Sequence, residues 1–87
     1  MSDIEKDFEK HSKNIKKIKK KPSDSDLLIL YGLYKQSIVG NCNTTRPGFL
    51  DFKGKSKWDS WNNYKGTSKE ESMKLYIKKV KEIIKNQ

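Results

Sequence analysis

Two tyrosines and a lysine recur in the segment YGLYKQ, residues 31–36, at spacings of three and four. On an α-helix these spacings place Tyr31, Tyr34 and Lys35 on one face. Aromatic rings can stack on a purine, phenol hydroxyls can donate to phosphate, and a neighbouring lysine can neutralise its charge. The cluster suits a nucleotide-like ligand. Two tyrosines at the edge of a hydrophobic core, beside a solvated lysine, explain the same residues equally well.

Further motifs follow this segment in a fixed order. They are RPG at 46–48, DFKGKSKWDSW at 51–61 and KGTSKE at 65–70. Together with the pattern YxxYKQ at 31–36, they resemble the acyl-CoA-binding protein family. The resemblance runs from about Phe8 to Ile84 without large insertions, so it covers nearly the whole chain.

The resemblance implies an all-α fold. This is a four-helix, up-down-down-up bundle with a long connection between helices 2 and 3, in which the first and fourth helices pack together. It also implies a non-enzymatic intracellular carrier that binds medium- to long-chain fatty acyl-CoA esters and buffers and transports the acyl-CoA pool. Six positions match ligand contacts of the family: Lys16, Tyr31, Tyr34, Lys35, Lys57 and Tyr76. Two more, Leu27 and Leu28, match positions that border the acyl groove.

Coenzyme A gives each of these matched positions a physical role, because its adenine ring, 3'-phosphate and pyrophosphate must be held without a metal or other cofactor. The tyrosines supply ring faces and hydroxyls. Lys35 and Lys57 can converge on phosphate, where a charge-assisted hydrogen bond is about twice as strong as a neutral one. Burial of the acyl chain, about 0.8 kcal/mol per methylene, should dominate affinity, while the headgroup selects an ester over a free fatty acid. Tyr76 also fits a core stripe, so a structural role stays open.

The chain departs from the family pattern at three places outside those six positions. His11 stands where a small residue is usual beside the ligand, and Ser12 stands at a core position often held by alanine. The turn sequence GNCN at 40–43 is also unusual. We expect His11 at the surface or edge of the bundle, and its effect on chain-length preference is open.

Hydrophobic spacing predicts the first two helices and the connection that follows them. The first covers about residues 4–19 and is limited by Pro22. Ser23 is the expected N-cap of the second, which Gly40 ends. Residues 41–55 show no regular hydrophobic spacing, which predicts a loop. We expect its apolar side chains to pack against the bundle: Phe49, Leu50 and Phe52.

Two shorter signals predict the remaining helices. A third helix is expected around residues 55–64, with Trp58 and Trp61 more often core than site and Gly66 closing it. Thr67 with Glu70 predicts a capping box for the fourth. That helix should bury one stripe: Met73, Tyr76, Ile77, Val80 and Ile84.

Length and cysteine content predict one domain spanning residues 1–87 in a reducing compartment. A chain of 87 residues is near the size at which a single core is only marginally stable. The lone Cys42 cannot form an internal disulfide and has no zinc-binding cluster around it. The charged start MSDIEKDFEK and the short apolar run LLILY indicate neither a signal peptide nor a membrane span. We expect a cytoplasmic monomer.

The net charge of +9, with Arg46 as the only arginine, predicts attraction to polyanions. An alternative is therefore a basic helical protein that binds nucleic acid, although no recognition motif is present. The charge also permits transient contact with membranes or with enzymes that use acyl-CoA. Catalysis is not expected, because one histidine and scattered acids do not form an acid–base or nucleophilic arrangement.

Overall fold

Four α-helices carry the fold of residues 2–87, the part of the chain that this computed structural model describes. Met1, where the predicted domain begins, lies outside the described residues. The helices are α1 (Asp3–Asn14), α2 (Asp24–Ile38), α3 (Phe52–Asn62) and α4 (Lys69–Lys85), and α1 continues into a 3₁₀ turn at Ile15–Lys17. Residues 2–87 contain no strand. The predicted all-α, four-helix bundle with a long connection between helices 2 and 3 is confirmed.

Side-chain caps set where the helices begin. Ser23 accepts a hydrogen bond from the Asp26 backbone N–H, as its predicted capping role requires. The capping box predicted at Thr67 and Glu70 is wrong by one residue, because Ser68 is the N-cap of α4 and accepts from the Glu71 N–H. The Thr67 N–H bonds the Tyr64 carbonyl instead and so belongs to the preceding turn.

The first helix is shorter than predicted. It stops being α-helical at Asn14, and Ile18 is extended, with φ −69° and ψ 148°. A longer helix would set Lys16 beside Lys20, and like charges four residues apart destabilise a helix. The third helix begins three residues earlier than predicted, because the Asp51 carboxylate accepts from the Gly54 N–H at 3.0 Å and caps it.

The core lies between α1, α2 and α4. Helix α2 packs against both α3 and α4, and α4 packs against α1, as the resemblance implied for the first and last helices. The buried apolar side chains of this core cluster are Phe8, Leu30, Leu33, Tyr76, Ile77, Val80 and Ile83, and Trp61 of α3 is buried as well. Ile84, expected in the stripe of α4, is 40% exposed, because its neighbour Ile83 takes the core-facing position.

The expectation that the loop packs its apolar side chains against the bundle is wrong. Phe49, Leu50 and Phe52 are 76%, 75% and 70% exposed. Polar contacts hold the loop to α3 instead: Arg46 makes two 2.9 Å hydrogen bonds to Asp59, and the Trp58 indole donates to the Thr44 carbonyl. Within residues 2–87, no helix has the length and apolar character that a membrane span needs.

Candidate functional site

One open cavity of about 710 Å³ lies where the end of α1, the extended segment after it, α2 and α4 meet. Its wall combines apolar side chains with tyrosines and lysines. The lining residues are Ser12, Ile15, Lys16, Ile18, Lys19, Lys21, Pro22, Leu27, Leu30, Tyr31, Tyr34 and Tyr76. The volume falls within the ~300–1,000 Å³ range of small-molecule sites. This wall is chemically complementary to a ligand that has an apolar end and an end that is both aromatic and anionic.

Four of the six candidate site residues line this single cavity. Lys16 comes from the 3₁₀ turn, Tyr31 and Tyr34 from α2, and Tyr76 from α4. The predicted groove residue Leu27 also lines it, whereas Leu28 lies outside its wall. Elements distant in sequence thus supply aromatic and cationic groups to one space.

The other two candidate lysines stand outside the cavity wall. The Lys57 Nζ is 5.5 Å from the centroid of the Tyr31 ring, so Lys57 lies close to a lining residue. The Lys35 Nζ is 4.8 Å from the centroid of the Trp61 ring and is directed toward α3. Lys57 can reach a ligand that contacts Tyr31, while Lys35 must leave Trp61 to do so.

Three aromatic rings form a continuous cluster at the base of the cavity. Phe8 stacks on Tyr34 with ring centroids 5.6 Å apart and meets Tyr76 edge-on at 4.9 Å. The Tyr34 and Tyr76 centroids are 6.1 Å apart. Each ring restricts the next, so α1, α2 and α4 jointly fix the two tyrosines.

Tyr76 is 4% exposed, yet it lines the cavity. Burial, followed by the proximity of Tyr34, raises the pKa of Tyr76 to about 12. Its hydroxyl therefore stays protonated at neutral pH and remains able to donate a hydrogen bond to an anionic group. The two roles left open for Tyr76, core residue and cavity residue, coexist in one side chain.

The candidate lysines carry charge that the described residues do not neutralise. No carboxylate of residues 2–87 forms an ion pair with Lys16, Lys35 or Lys57. In contrast, Lys79 on α4 pairs with Asp26 at 2.9 Å and with Glu82 at 3.4 Å. Cations without a carboxylate partner are free to compensate the charge of a bound phosphate.

His11 is buried, at 8% exposure, so its predicted place at the surface or edge is wrong. The Nδ1 atom lies 2.8 Å from the Asp7 carbonyl oxygen and 3.2 Å from Asp7 Oδ1. These contacts fold the imidazole back along α1 and satisfy one ring nitrogen locally, which allows burial. Its neighbour Ser12 donates to the Glu9 carbonyl and lines the cavity.

Sequence reasoning missed several cavity residues. Lys19, Lys21 and Leu30 were not among the predicted site residues, yet all three line the cavity. The signal was the proline at position 22. Proline disfavours helix in the residue before it, and the non-helical segment before Pro22 contributes Lys19 and Lys21 to the cavity wall.

Residues 2–87 contain no group of three His, Cys, Asp or Glu side chains that could hold a metal ion. The Cys42 thiol lies 3.9 Å from the Thr44 hydroxyl. A neutral hydroxyl does not activate a thiol.

Comparison with known proteins gives one consistent result. The family model described as "Acyl CoA binding protein" matches residues 5–80. A relative from a species of Hypsibius, whose name marks it as a provisional acyl-CoA-binding protein, is 51% identical over 81 residues, covering 93% of this chain and 91% of its own length. The alternative of nucleic-acid binding has no support in these matches.

Three solved structures that resemble this chain are also acyl-CoA-binding proteins. The crystal structure of acyl-CoA-binding protein 2 from Oryza sativa is 42% identical with a TM-score of 0.91 and covers 95% of this chain and 90% of that one. The crystal structure of the same kind of protein from Moniliophthora perniciosa is 39% identical with a TM-score of 0.89, covering 99% and 83%. The solution structure of the acyl-CoA-binding protein from Babesia bovis is 33% identical with a TM-score of 0.79, covering 93% of both chains.

Proposed function

The chain belongs to the acyl-CoA-binding protein family, and from this premise we propose that it is a cytoplasmic carrier that holds a medium- to long-chain fatty acyl-CoA ester in the cavity between α1, α2 and α4. Members of the family bind acyl-CoA without a cofactor and without turning it over, so the protein is not an enzyme. In its proposed role it buffers and transports the acyl-CoA pool and shields the acyl chain from water.

The composition of the cavity wall carries this proposal. One continuous space has tyrosines and lysines together with isoleucine and leucine side chains. An acyl-CoA ester has the same division, because a polyanionic nucleotide is joined to a hydrocarbon chain. A binding site for free nucleotide would gain nothing from the apolar part, and a site for free fatty acid would leave the lysines without phosphate partners.

We assign the headgroup to the aromatic and cationic side chains. Tyr31 is the stacking candidate for adenine, because its ring lines the cavity and Lys57 stands beside it. Lys16, Lys35 and Lys57 compensate the phosphates, and Tyr76, protonated at neutral pH, donates a hydrogen bond. Tyr34 completes the aromatic wall through its contacts with Phe8 and Tyr76.

The acyl chain follows the apolar part of the wall, beside Leu27 and Leu30. Leu28 lies outside the cavity wall, so it contacts the ligand only where the acyl chain extends beyond the cavity. Burial of a dozen methylenes contributes on the order of 10 kcal/mol before the costs of association. The tail therefore supplies most of the affinity, while the headgroup determines that the ligand is a CoA ester.

Isothermal titration of the purified protein tests the proposal. Palmitoyl-CoA, free CoA and palmitate are titrated separately, each below its aggregation limit. We expect tight one-to-one binding of the ester, weaker binding of CoA and the weakest binding of palmitate. A folded protein that binds no ester would contradict the proposed function, and unchanged thioester after long incubation with the protein is the control for the absence of turnover.

A further inference from the structure

Three bulky apolar side chains project from the connection between α2 and α3. We call Phe49, Leu50 and Phe52 the apolar tip. Each is at least 70% exposed, so the apolar tip makes little contact with the bundle. Soluble surfaces carry isolated apolar residues routinely, but three large ones within four positions form a patch that marks an interaction site.

Basic residues surround the apolar tip. Residues 46–59 hold four cations and two carboxylates, of which Asp59 pairs with Arg46 and Asp51 caps the N-terminus of α3. The Lys55 Nζ donates to the Phe49 carbonyl at 2.8 Å and lies 5.0 Å from the Phe52 ring centroid. Lys55 thus holds its charge beside the Phe49 backbone and the Phe52 ring, and Lys53 is exposed near them.

The size and shape of this surface favour a lipid bilayer over a protein partner. The three side chains offer on the order of 400 Å² of apolar surface, about half of what one partner of a stable protein interface buries. Each is at least 70% exposed, so no groove of the protein encloses them. Exposed aromatic and aliphatic side chains with adjacent lysines are the chemistry that enters a membrane interface and binds anionic headgroups.

We propose that the apolar tip docks the protein on the surface of an anionic phospholipid bilayer. Phe49, Leu50 and Phe52 enter the interfacial region, and Lys53 and Lys55 contact lipid headgroups. Docking itself does not depend on the ligand.

The position of the tip relative to the cavity gives docking a consequence, which rests on the proposed function. Phe52 and Lys57 are five residues apart on α3, a rise of about 7–8 Å, and Lys57 lies beside the cavity residue Tyr31. A docked protein therefore holds its cavity near the lipid surface, where an acyl-CoA ester could enter or leave with little exposure of its tail to water.

Vesicle co-sedimentation of the ligand-free protein tests docking. The vesicles are phosphatidylcholine alone and phosphatidylcholine with about one-third phosphatidylserine, at low and at roughly 0.15 M salt. The triple variant Phe49→Ser, Leu50→Ser, Phe52→Ser keeps the net charge and should bind anionic vesicles about tenfold or more weakly. Leu50→Ser is compared with Ile84→Ser, which removes an isomeric exposed side chain from the last turn of α4.

The expected result is salt-sensitive binding of the wild type to anionic vesicles, weakened by Leu50→Ser and not by Ile84→Ser. Equal binding of the triple variant would show that net charge alone attracts the protein and would overturn the proposal. Failure of the wild type to bind anionic vesicles at either salt would also overturn it. Palmitoyl-CoA titration of the same variants separates the two ideas, because loss of vesicle binding with unchanged ester affinity supports docking and leaves the carrier function intact.

Discussion

The backbone of Gly32 in α2 lies directly against Ser60 in α3. A Cβ atom at position 32 would stand 2.5 Å from the Ser60 Oγ and 2.6 Å from its carbonyl oxygen. The Ser60 hydroxyl donates in turn to the Leu28 carbonyl, one helical turn before Gly32. This close approach brings α3 against the helix that carries Tyr31 and Tyr34, and it explains why Lys57 reaches the Tyr31 ring.

Gly32→Ala is therefore expected to destabilise the protein. Helix propensity alone would favour alanine by about 1 kcal/mol. The contact with the Ser60 backbone cannot be relieved by a side-chain rotation, so α2 and α3 must separate, and overpacking of this kind costs about 1–3 kcal/mol. Urea denaturation followed by circular dichroism measures the change. Gly48→Ala is the matched control, because nothing lies within 4 Å of its Cβ position; equal stability of the two variants would contradict the prediction.

Tyr31→Ala should weaken acyl-CoA binding about tenfold to a hundredfold, because stacking of a base on an aromatic ring contributes about 1–3 kcal/mol. Tyr31 is only half-buried, so helicity should be unchanged. Tyr31→Phe keeps the ring face and should retain most of the affinity. Titration calorimetry with palmitoyl-CoA measures both variants, and wild-type affinity in Tyr31→Ala would remove Tyr31 from the proposed site.

The candidate lysines should act on the headgroup and not on the tail. Lys57→Gln and Lys35→Gln are each expected to weaken free CoA binding about tenfold, the value of one charge-assisted hydrogen bond. Each variant should also show a weaker dependence of affinity on salt. Lys78→Gln, an exposed lysine on α4, is the control for loss of charge alone. The same modest loss in all three variants would mean that net charge, and not position, attracts the ligand.

Much of the fold was predictable from local chemistry. Ser23 and Gly40 delimit α2 because an N-cap hydroxyl and a residue with positive φ act within a few residues of themselves; Gly40 has φ 97°. Spacing alone placed Tyr31 and Tyr34 on one face of that helix, and both line the cavity. Caps and stripes of this kind depend on neighbours in sequence, so sequence reports them well.

Features that depend on distant partners were missed. The apolar spacing of Phe49, Leu50 and Phe52 suggested burial, but the loop lies where Arg46 and Asp59 pair across thirteen residues, and no pattern reports that pair. His11 was expected at the surface or edge because it stands among lysines on a helix, yet its local contact with Asp7 allows burial. The Lys35 Nζ lies 4.8 Å from the Trp61 ring centroid, a tertiary contact that no local sequence pattern reports.

The Arg46–Asp59 pair should contribute a pH-dependent part of stability. Hydrogen bonding to Arg46 lowers the pKa of Asp59 from its ordinary value of 3.8. A carboxyl group with a lowered pKa contributes stability that is present above its unfolded pKa and lost as the pH falls through its folded pKa. The wild type should therefore exceed Asp59→Asn in thermal midpoint above about pH 5, with a difference that shrinks in acid. A double-mutant cycle with Arg46→Gln isolates the pair, and a difference that is constant with pH would contradict its ionic origin.

Tyr76 should make the stability of the protein depend on pH in the alkaline range. Burial raises its pKa from 10.0 to about 12, and burial also raises the pKa of Tyr64. Since the unfolded chain releases the Tyr76 proton near 10, the folded state binds more protons above that pH, and stability falls as the pH rises toward 12. Below about pH 10 the phenol stays neutral in both states and contributes no pH dependence.

Phenolate absorbance of the folded protein measures this ionisation directly. We expect Tyr76 to ionise well above the ordinary phenol pKa of 10.0, and Tyr76→Phe to remove that late step and reduce the loss of stability between about pH 10 and 12. Tyr64→Phe is the matched control, because it removes a phenol that does not line the cavity. If Tyr76 of the folded protein ionised near pH 10, its hydroxyl would be solvated, and its assignment as a buried donor to the ligand would be wrong.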